Sequence, residues 1–316
     1  MDFMLNKKNG TMKTKVLITG IFMLIAGMMT AQQQNQAGKT GISKEQMQER
    51  IGKSVSNKIK NAEIKETEEA IAILKETQAV IADLAQNKND EAEKKLAEVI
   101  GKLEILLAQK PELSLIPVDA NVEMKDAVTD VSTVRTIMDH VKKAIEQGYY
   151  QEAKQVLNDL SSELVIKTAY LPMATYPGAM KLAAKLMHEG KNREAAAVLV
   201  NALNTLIIGE EIIPLPVLRA EEYIKEAVKV LNNEKAFKEN KETLLALLDA
   251  ASYQLDLAQA MGYGKKDKEY KDLHQAIVRL KDYVNKGREK KTGKALKDLS
   301  LELKKFKERL FYKKQK

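Results

Sequence analysis

One phrase of sequence recurs along this chain and limits what it can fold into. Asn87, Gly148, Gly190 and Gly287 each close an amphipathic segment, and a Leu follows each nine residues later, at Leu96, Leu157, Leu199 and Leu296. In three of the four, Glu-Ala stands at the fourth and fifth steps, as Glu91-Ala92, Glu152-Ala153 and Glu194-Ala195. Gly and Asn tolerate the left-handed backbone that ends a helix, and a small Ala lets the next helix approach closely. The phrase therefore spells helix-turn-helix hairpins. Its intervals of 61, 42 and 97 residues are too irregular for a regular solenoid. The expected fold is mainly all-α, with helical hairpins packed as a bundle or irregular array and room for one or two short strands.

Ahead of these hairpins, Ser43-Lys44-Glu45-Gln46 has the form of a capping box, in which a hydroxyl and an amide three residues on satisfy two orphan backbone donors. Behind it Met47, Ile51, Val55 and Ile59 recur at helical spacing, and Ile71, Leu74, Ile81 and Leu84 continue the period. The spacing predicts helix from Lys44 to about Ala85, with a bend or register change where Glu66 to Glu69 interrupts the stripe. Two segments break the helical pattern. Leu164 to Pro172, and Leu206-Ile207-Ile208 leading into Ile212-Ile213-Pro214-Leu215-Pro216, read either as short buried strands or as a helix end followed by extended chain. Residues before proline avoid the helical region, which favours the second reading. Pro177 and Pro216 then suit the first turns of new helices, where a missing N–H costs nothing.

The first thirty-one residues have the parts of a secretory signal: Lys7, Lys8, Lys13 and Lys15, the apolar run Val16 to Met29, then Thr30 and Ala31. Cleavage is expected after Ala31, with an uncleaved anchor as the alternative because Met29 is bulky, and Met12 is an alternative start to Met1. The run is too short and interrupted to span a bilayer comfortably, since that takes roughly 20 apolar residues. The chain has no cysteine, which excludes a lipobox, disulfides, thiolate catalysis and cysteine-rich zinc sites. The expected organisation is a signal peptide over 1–31, a polar disordered linker over 32–43, a helical domain over 44–264 and a basic C-terminal helical hairpin over 265–316. Charge supports the last boundary: 32–264 holds 29 Lys and Arg against 35 Asp and Glu, whereas 265–316 holds 19 against 8.

Three words carry a family resemblance. Ile116-Pro117-Val118-Asp119 through Val131-Ser132-Thr133-Val134, then Leu171-Pro172-Met173-Ala174-Thr175-Tyr176-Pro177, then Ile213-Pro214-Leu215-Pro216-Val217-Leu218-Arg219-Ala220-Glu221, resemble the YfdX family. The similarity covers most of Leu84 to Asn232. It implies an exported bacterial protein, predominantly helical, prone to self-association and linked with acid and other envelope stress. No enzyme activity and no catalytic residues come with it.

The residues themselves offer little convergent chemistry. Three histidines, His140, His188 and His274, fall in different expected helices, and His188-Glu189 lacks a second ligand because Asn192 stands four residues on. Gly287 to Lys294 fails as a phosphate loop in spacing and in having Ala295 where a magnesium ligand is needed. Glu68-Glu69, Glu210-Glu211 and Glu221-Glu222 are neighbours pointing about 100° apart on a helix, so they are expected on solvated faces unless the fold turns them inward. No catalytic residue, metal or cofactor is expected.

The candidate binding residues are Tyr170, Leu171, Pro172, Tyr176, Pro177, Leu215, Pro216 and Arg219, as the wall of an apolar groove with a few polar handles; packing at a hairpin edge is the alternative. In the tail, Leu273, Ile277, Leu280 and Val284 form one stripe before Gly287, and Leu296, Leu299, Leu303, Phe306 and Leu310 another after it. Lys290, Lys291, Lys294, Lys297, Lys304 and Lys305 are left outside as candidate anion-binding residues, or as a charge that neutralises the acidic body. The expected function is that of an exported, non-catalytic, periplasmic protein, stress-related and binding a small apolar molecule or an envelope protein. A homo-oligomer is expected, and nucleic acid is not. The alternatives are an adaptor docking on anionic envelope surfaces and an enzyme of unrecognised type.

Overall fold

The computed structural model describes residues 39–62, 66–127, 129–233, 237–264, 268–310 and 312–315. The expected signal segment, its cleavage and start sites, and most of the 32–43 linker lie outside the described residues. Helix α1 runs over Lys44–Ala62. The capping box is formed at its start: Gln46 N–H donates to Ser43 Oγ at 3.2 Å, and Ser43 N–H donates to Gln46 Oε1 at 3.0 Å. Helix α2 covers Glu66–Ala85, and residues 63–65, which would join it to α1 just ahead of the expected break, lie outside the described residues.

Asn87, at φ 58°, turns the chain from α2 into α3, Asn89–Gln109. The other expected turns are Gly148, Gly190 and Gly287, all with positive φ. Gly148 joins α4 (Val131–Glu146) to α5 (Tyr150–Asp159), and Gly190 joins α6 (Tyr176–His188) to α7 (Asn192–Asn204). Helices α8 (Leu215–Leu231) and α9 (Lys241–Ala260) follow, and Gly287 closes the last hairpin between α10 (Lys268–Asn285) and α11 (Glu289–Leu310). Ala92, Ala153 and Ala195 are buried, as is Thr292 at the equivalent step of the fourth hairpin. Leu96, Leu199 and Leu296 are buried too, but Leu157 is 38% exposed, so α4–α5 is the hairpin that departs from the pattern. Pro177 and Pro216 occupy the first turns of α6 and α8.

The chain is mainly helical, but its sheet is larger than one or two short strands. Strands β1 (Leu115–Asp126), β2 (Ser162–Pro172), β3 (Ile207–Pro214) and β4 (Tyr312–Gln315) form one sheet in that order. Each pairs antiparallel with the next. The two segments read as extended chain after helix ends are therefore paired strands, β2 and β3. Their prolines stand at the ends, Pro172 and Pro214, where a missing N–H breaks no interior ladder bond. Helical hairpins replace ordinary turns: α4–α5 connects β1 to β2, and α6–α7 connects β2 to β3.

Two cores meet at β2. Leu164 and Ile166 belong to a core built from α1, α8, α9, α10 and α11, while Leu171 belongs to one built from α2, α3, α6 and α7, with Ala169 packed against it. Alternate strand residues point to opposite faces, so these odd and even positions serve opposite sides of the sheet. Strand β1 follows through a bulge at Val118, where Pro117 pairs with Tyr170 but Asp119 pairs with Ala169. Before the bulge Ile116 joins the second core; beyond it Ala120, Val122 and Met124 pack against the first.

The hairpin α10–α11 is not set apart from the helical body. Leu273, Ile277, Leu280, Val284, Leu296, Leu299, Leu303 and Phe306 are buried in the same core as α8 and α9. The Tyr270 and Phe306 rings meet edge-on with centroids 4.9 Å apart. Among the described residues no helix is long and apolar enough to cross a membrane.

Candidate functional site

The eight residues expected to line an apolar groove do not form one. Leu171 and Tyr176 are buried in the core of α2, α3, α6 and α7, with Pro172 and Pro177 buried beside them in sequence. Leu215 is buried in the other core, and Pro216 and Arg219 are buried on the same helix, α8. The Tyr176 hydroxyl donates to Thr77 Oγ1 at 3.0 Å, and Thr77 donates in turn to the Ile73 carbonyl at 2.8 Å. Burial pushes the Tyr176 phenol up to about 12 despite that bond. Tyr170 alone is half-buried, its ring lying over Gly209, where an added Cβ would meet Tyr170 Cε2 at 2.9 Å. These words are apolar because they close strands onto helices inside two cores.

The polar handle Arg219 does have a specific partner. Its Nη2 lies 2.6 Å from Asp126 Oδ2, and Ser162 Oγ donates to the other Asp126 oxygen at 3.1 Å. Ser162 N–H donates to the Tyr263 hydroxyl at 2.8 Å, and that hydroxyl lies 3.5 Å from Glu163 Oε2. Burial drives the Tyr263 phenol up. This network ties the outer ends of β1 and β2 to α8 and to the segment after α9.

Glu221 and Glu222, expected on a solvated face, are turned inward and buried, each with a lysine partner. Lys307 from α11 pairs with Glu221, and Lys225 lies 3.2 Å from Glu221 and 2.8 Å from Glu222. Burial alone pushes the Glu221 carboxyl up, but the Lys307 and Lys225 ammonium groups outweigh it and hold the carboxyl below its ordinary value. Glu226 is held down in the same way against its own desolvation, by Arg50 of α1 at 2.6 Å and Lys229 at 3.4 Å. Helix α8 is thus the member that α1, α11 and β1 all reach with a charge.

A second constellation was missed in the sequence because its members lie on different helices. His274 Nδ1 on α10 is 3.1 Å from Ser252 Oγ on α9, and Asp256 Oδ1, one turn on, is 3.2 Å from His274 Nε2. Asp256 is near His274 Nε2 but misaligned for a hydrogen bond. Ser252 stands inside α9, where the surrounding backbone N–H groups are spent within the helix. They are not free to hold an oxyanion, and the three side chains act as a tie between two helices. His140 and His188 are exposed on other helices. Among the described residues no three His, Asp or Glu side chains are placed to hold a metal ion.

Lys290, Lys291, Lys294, Lys297, Lys304 and Lys305 are all exposed on α11, as expected. They do not act as one patch. Lys290, Lys294 and Lys297 rim a crevice of about 350 Å³ between α11 and the last turn of α8, lined also by Val228, Leu231, Asn232, Gly293 and Leu296. Lys291, Lys304 and Lys305 lie off this crevice. The remaining surface of note is α4–α5, which leaves Ile145, Tyr149, Tyr150, Val156 and Leu157 exposed.

The YfdX protein family matches residues 73–212. The match starts within α2 and ends in β3, so it takes in the second core, three strands and α4–α5, and leaves α1 and α8 to α11 outside. A solved crystal structure of Salmonella Typhi YfdX is similar to the chain at 13% identity, covering 47% of this chain and 92% of that one, with a TM-score of 0.32. No curated protein matches the chain.

Proposed function

We propose, from the premise that residues 73–212 belong to the YfdX family, that this chain is an exported, non-catalytic binding protein of the bacterial envelope that works as a homo-oligomer assembled through α4–α5. Export is supported by the charged, apolar and small-residue parts of the first 31 residues and by the lack of cysteine. A role in envelope stress is what the family resemblance implies.

The observation that carries the assembly is the exposed apolar face of α4–α5. Both helices are strongly amphipathic, yet α5 buries only Ala153, and α4 only Val134 and Val141. Ile145, Tyr149, Tyr150, Val156 and Leu157 are left exposed on this one hairpin, and a concentration of exposed apolar side chains favours an interaction surface. Residues 131–159 hold four basic and four acidic side chains, a balance that suits self-complementary contact about a two-fold axis better than attraction to a charged surface. The test is mass by light scattering across a hundredfold range of concentration, for the native chain and for Leu157→Glu. A multimeric native mass that falls to the monomer in Leu157→Glu, with unchanged circular dichroism, is expected. A monomeric native mass throughout overturns the reading.

A further inference from the structure

The crevice between α8 and α11 combines two chemistries that the assembly does not use. Its floor is apolar, made by Val228, Leu231, Gly293 and Leu296, and its rim carries the ammonium groups of Lys290, Lys294 and Lys297. Gly293 sets the depth: a Cβ there would come within 3.3 Å of Leu231 Cδ2, so a larger residue would press the two helices apart or fill the space.

The rim gathers three ammonium groups around one apolar floor. Among the described residues none of its three lysines is within ion-pair reach of a carboxylate, whereas Lys281, Lys286 and Lys307 of the same hairpin each are. Positions 290, 294 and 297 fall on one helix face, where like charges repel at the i,i+4 spacing. Lys290 also sits in the first turn of α11, where the helix dipole disfavours a cation. The last turn of α8 brings an opposing partial charge, but that is roughly half a charge against three ammonium groups. The local arrangement is unfavourable as it stands, and an anion on the rim would relieve both of its costs.

We infer that this crevice binds the phosphate head of an anionic amphiphile, with the phosphate oxygens on Lys290, Lys294 and Lys297 and the first carbons of the alkyl chain on the floor. The space of about 350 Å³ lies at the lower end for ligand pockets, so it suits a headgroup and a short length of chain. Phosphate draws charge-assisted bonds from several ammonium groups at once, and the apolar floor distinguishes an amphiphile from free phosphate. The site lies on α8 and α11, outside α4–α5, so it stands or falls independently of the assembly.

Calorimetric titration of the full chain with octyl phosphate below its micellar concentration tests this, beside inorganic phosphate and the uncharged octyl glucoside. Saturable binding of octyl phosphate is expected, weakened by added salt and weaker by roughly tenfold or more in K290Q/K294Q/K297Q, whose substitutions fall on exposed positions and leave the core intact. Gly293→Leu, which fills the crevice, is expected to abolish binding. Equal binding of inorganic phosphate would remove the floor from the account, and equal binding of octyl glucoside would remove the rim; either overturns the inference. So does native-like affinity in the folded triple variant, or no binding of octyl phosphate by the native chain.

Discussion

Arg219 and Asp126 form a 2.6 Å ion pair with side chains only 10% and 14% exposed, joining the first turns of α8 to the last residue of β1. Removing one partner of such a pair leaves an uncompensated charge away from water. Arg219→Ala is expected to cost about 3–5 kcal/mol in urea unfolding, whereas the apolar double replacement Arg219→Met with Asp126→Leu is expected to recover much of it. A native midpoint in Arg219→Ala would mean that apolar packing alone places α8.

Tyr176 separates a groove from a core. As a groove residue it can be removed with little effect on folding. As the buried partner of Thr77 it cannot: Tyr176→Ala is expected to cost about 3–5 kcal/mol and Tyr176→Phe about 1 kcal/mol, since the latter loses only the bond to Thr77. Denaturation midpoints for the two variants decide the matter.

Acid acts on the start of α4. Asp130 caps that helix, accepting from Ser132 N–H at 2.9 Å and Thr133 N–H at 3.0 Å, and its side-chain bond with Ser132, followed by the bonds from Thr133, holds its carboxyl down to about 2 from 3.8. A carboxyl with a lowered folded-state value stabilises the fold above its unfolded value and stops doing so as it becomes protonated. The contribution is full above about pH 4 and lost as pH falls towards 2. Amide resonances of Ser132 and Thr133 follow the folded-state carboxyl and should shift with a midpoint near pH 2, with no step at the ordinary value of 3.8. Asp130→Ala should remove the shift and cost about 1 kcal/mol at neutral pH. Glu221, also held down, works in the same direction.

Two ion pairs of the last hairpin should differ in worth. Lys307 and Glu221 are 15% and 10% exposed, whereas Lys281 and Asp249 are 36% and 60% exposed. Lys307→Met is expected to cost about 2–3 kcal/mol, because it takes a charged hydrogen bond from buried Glu221 and leaves it with Lys225 alone. Lys281→Met is expected to cost about 1 kcal/mol at most, because water screens that pair. Equal losses for the two would contradict the burial of the Lys307 pair.

The helical part of this fold was open to reading because it is written locally. Ser43 and Gln46 form their box within one turn, and Asn87, Gly190 and Gly287 mark turns whose following Ala or Thr and Leu are buried together. The sheet was harder. In β2 and β3 the apolar runs are too short to tell a strand from a helix end, and their partners come from far along the chain. Strand β1 did carry a signal, since Ile116, Val118, Ala120, Val122 and Met124 alternate with polar residues and Pro117, a period of two. At the candidate site the tail lysines were legible as an exposed face of α11, but their division by a crevice depends on α8, more than fifty residues away. The groove failed for a related reason: apolar words flanked by prolines look the same whether they line a cleft or close a core.

Strand β2 is a party wall. Leu164 and Ile166 furnish one core and Leu171 the other, at odd and even positions of a single run. Deleting one residue between them would reverse the facing of one half relative to the other, and no shift of register could restore both at once. A compensating deletion would have to remove the extra residue at Val118 of β1 as well. An insertion at the turn of a helical hairpin leaves the strand pairing in register, but at this strand the chain length is counted to the residue.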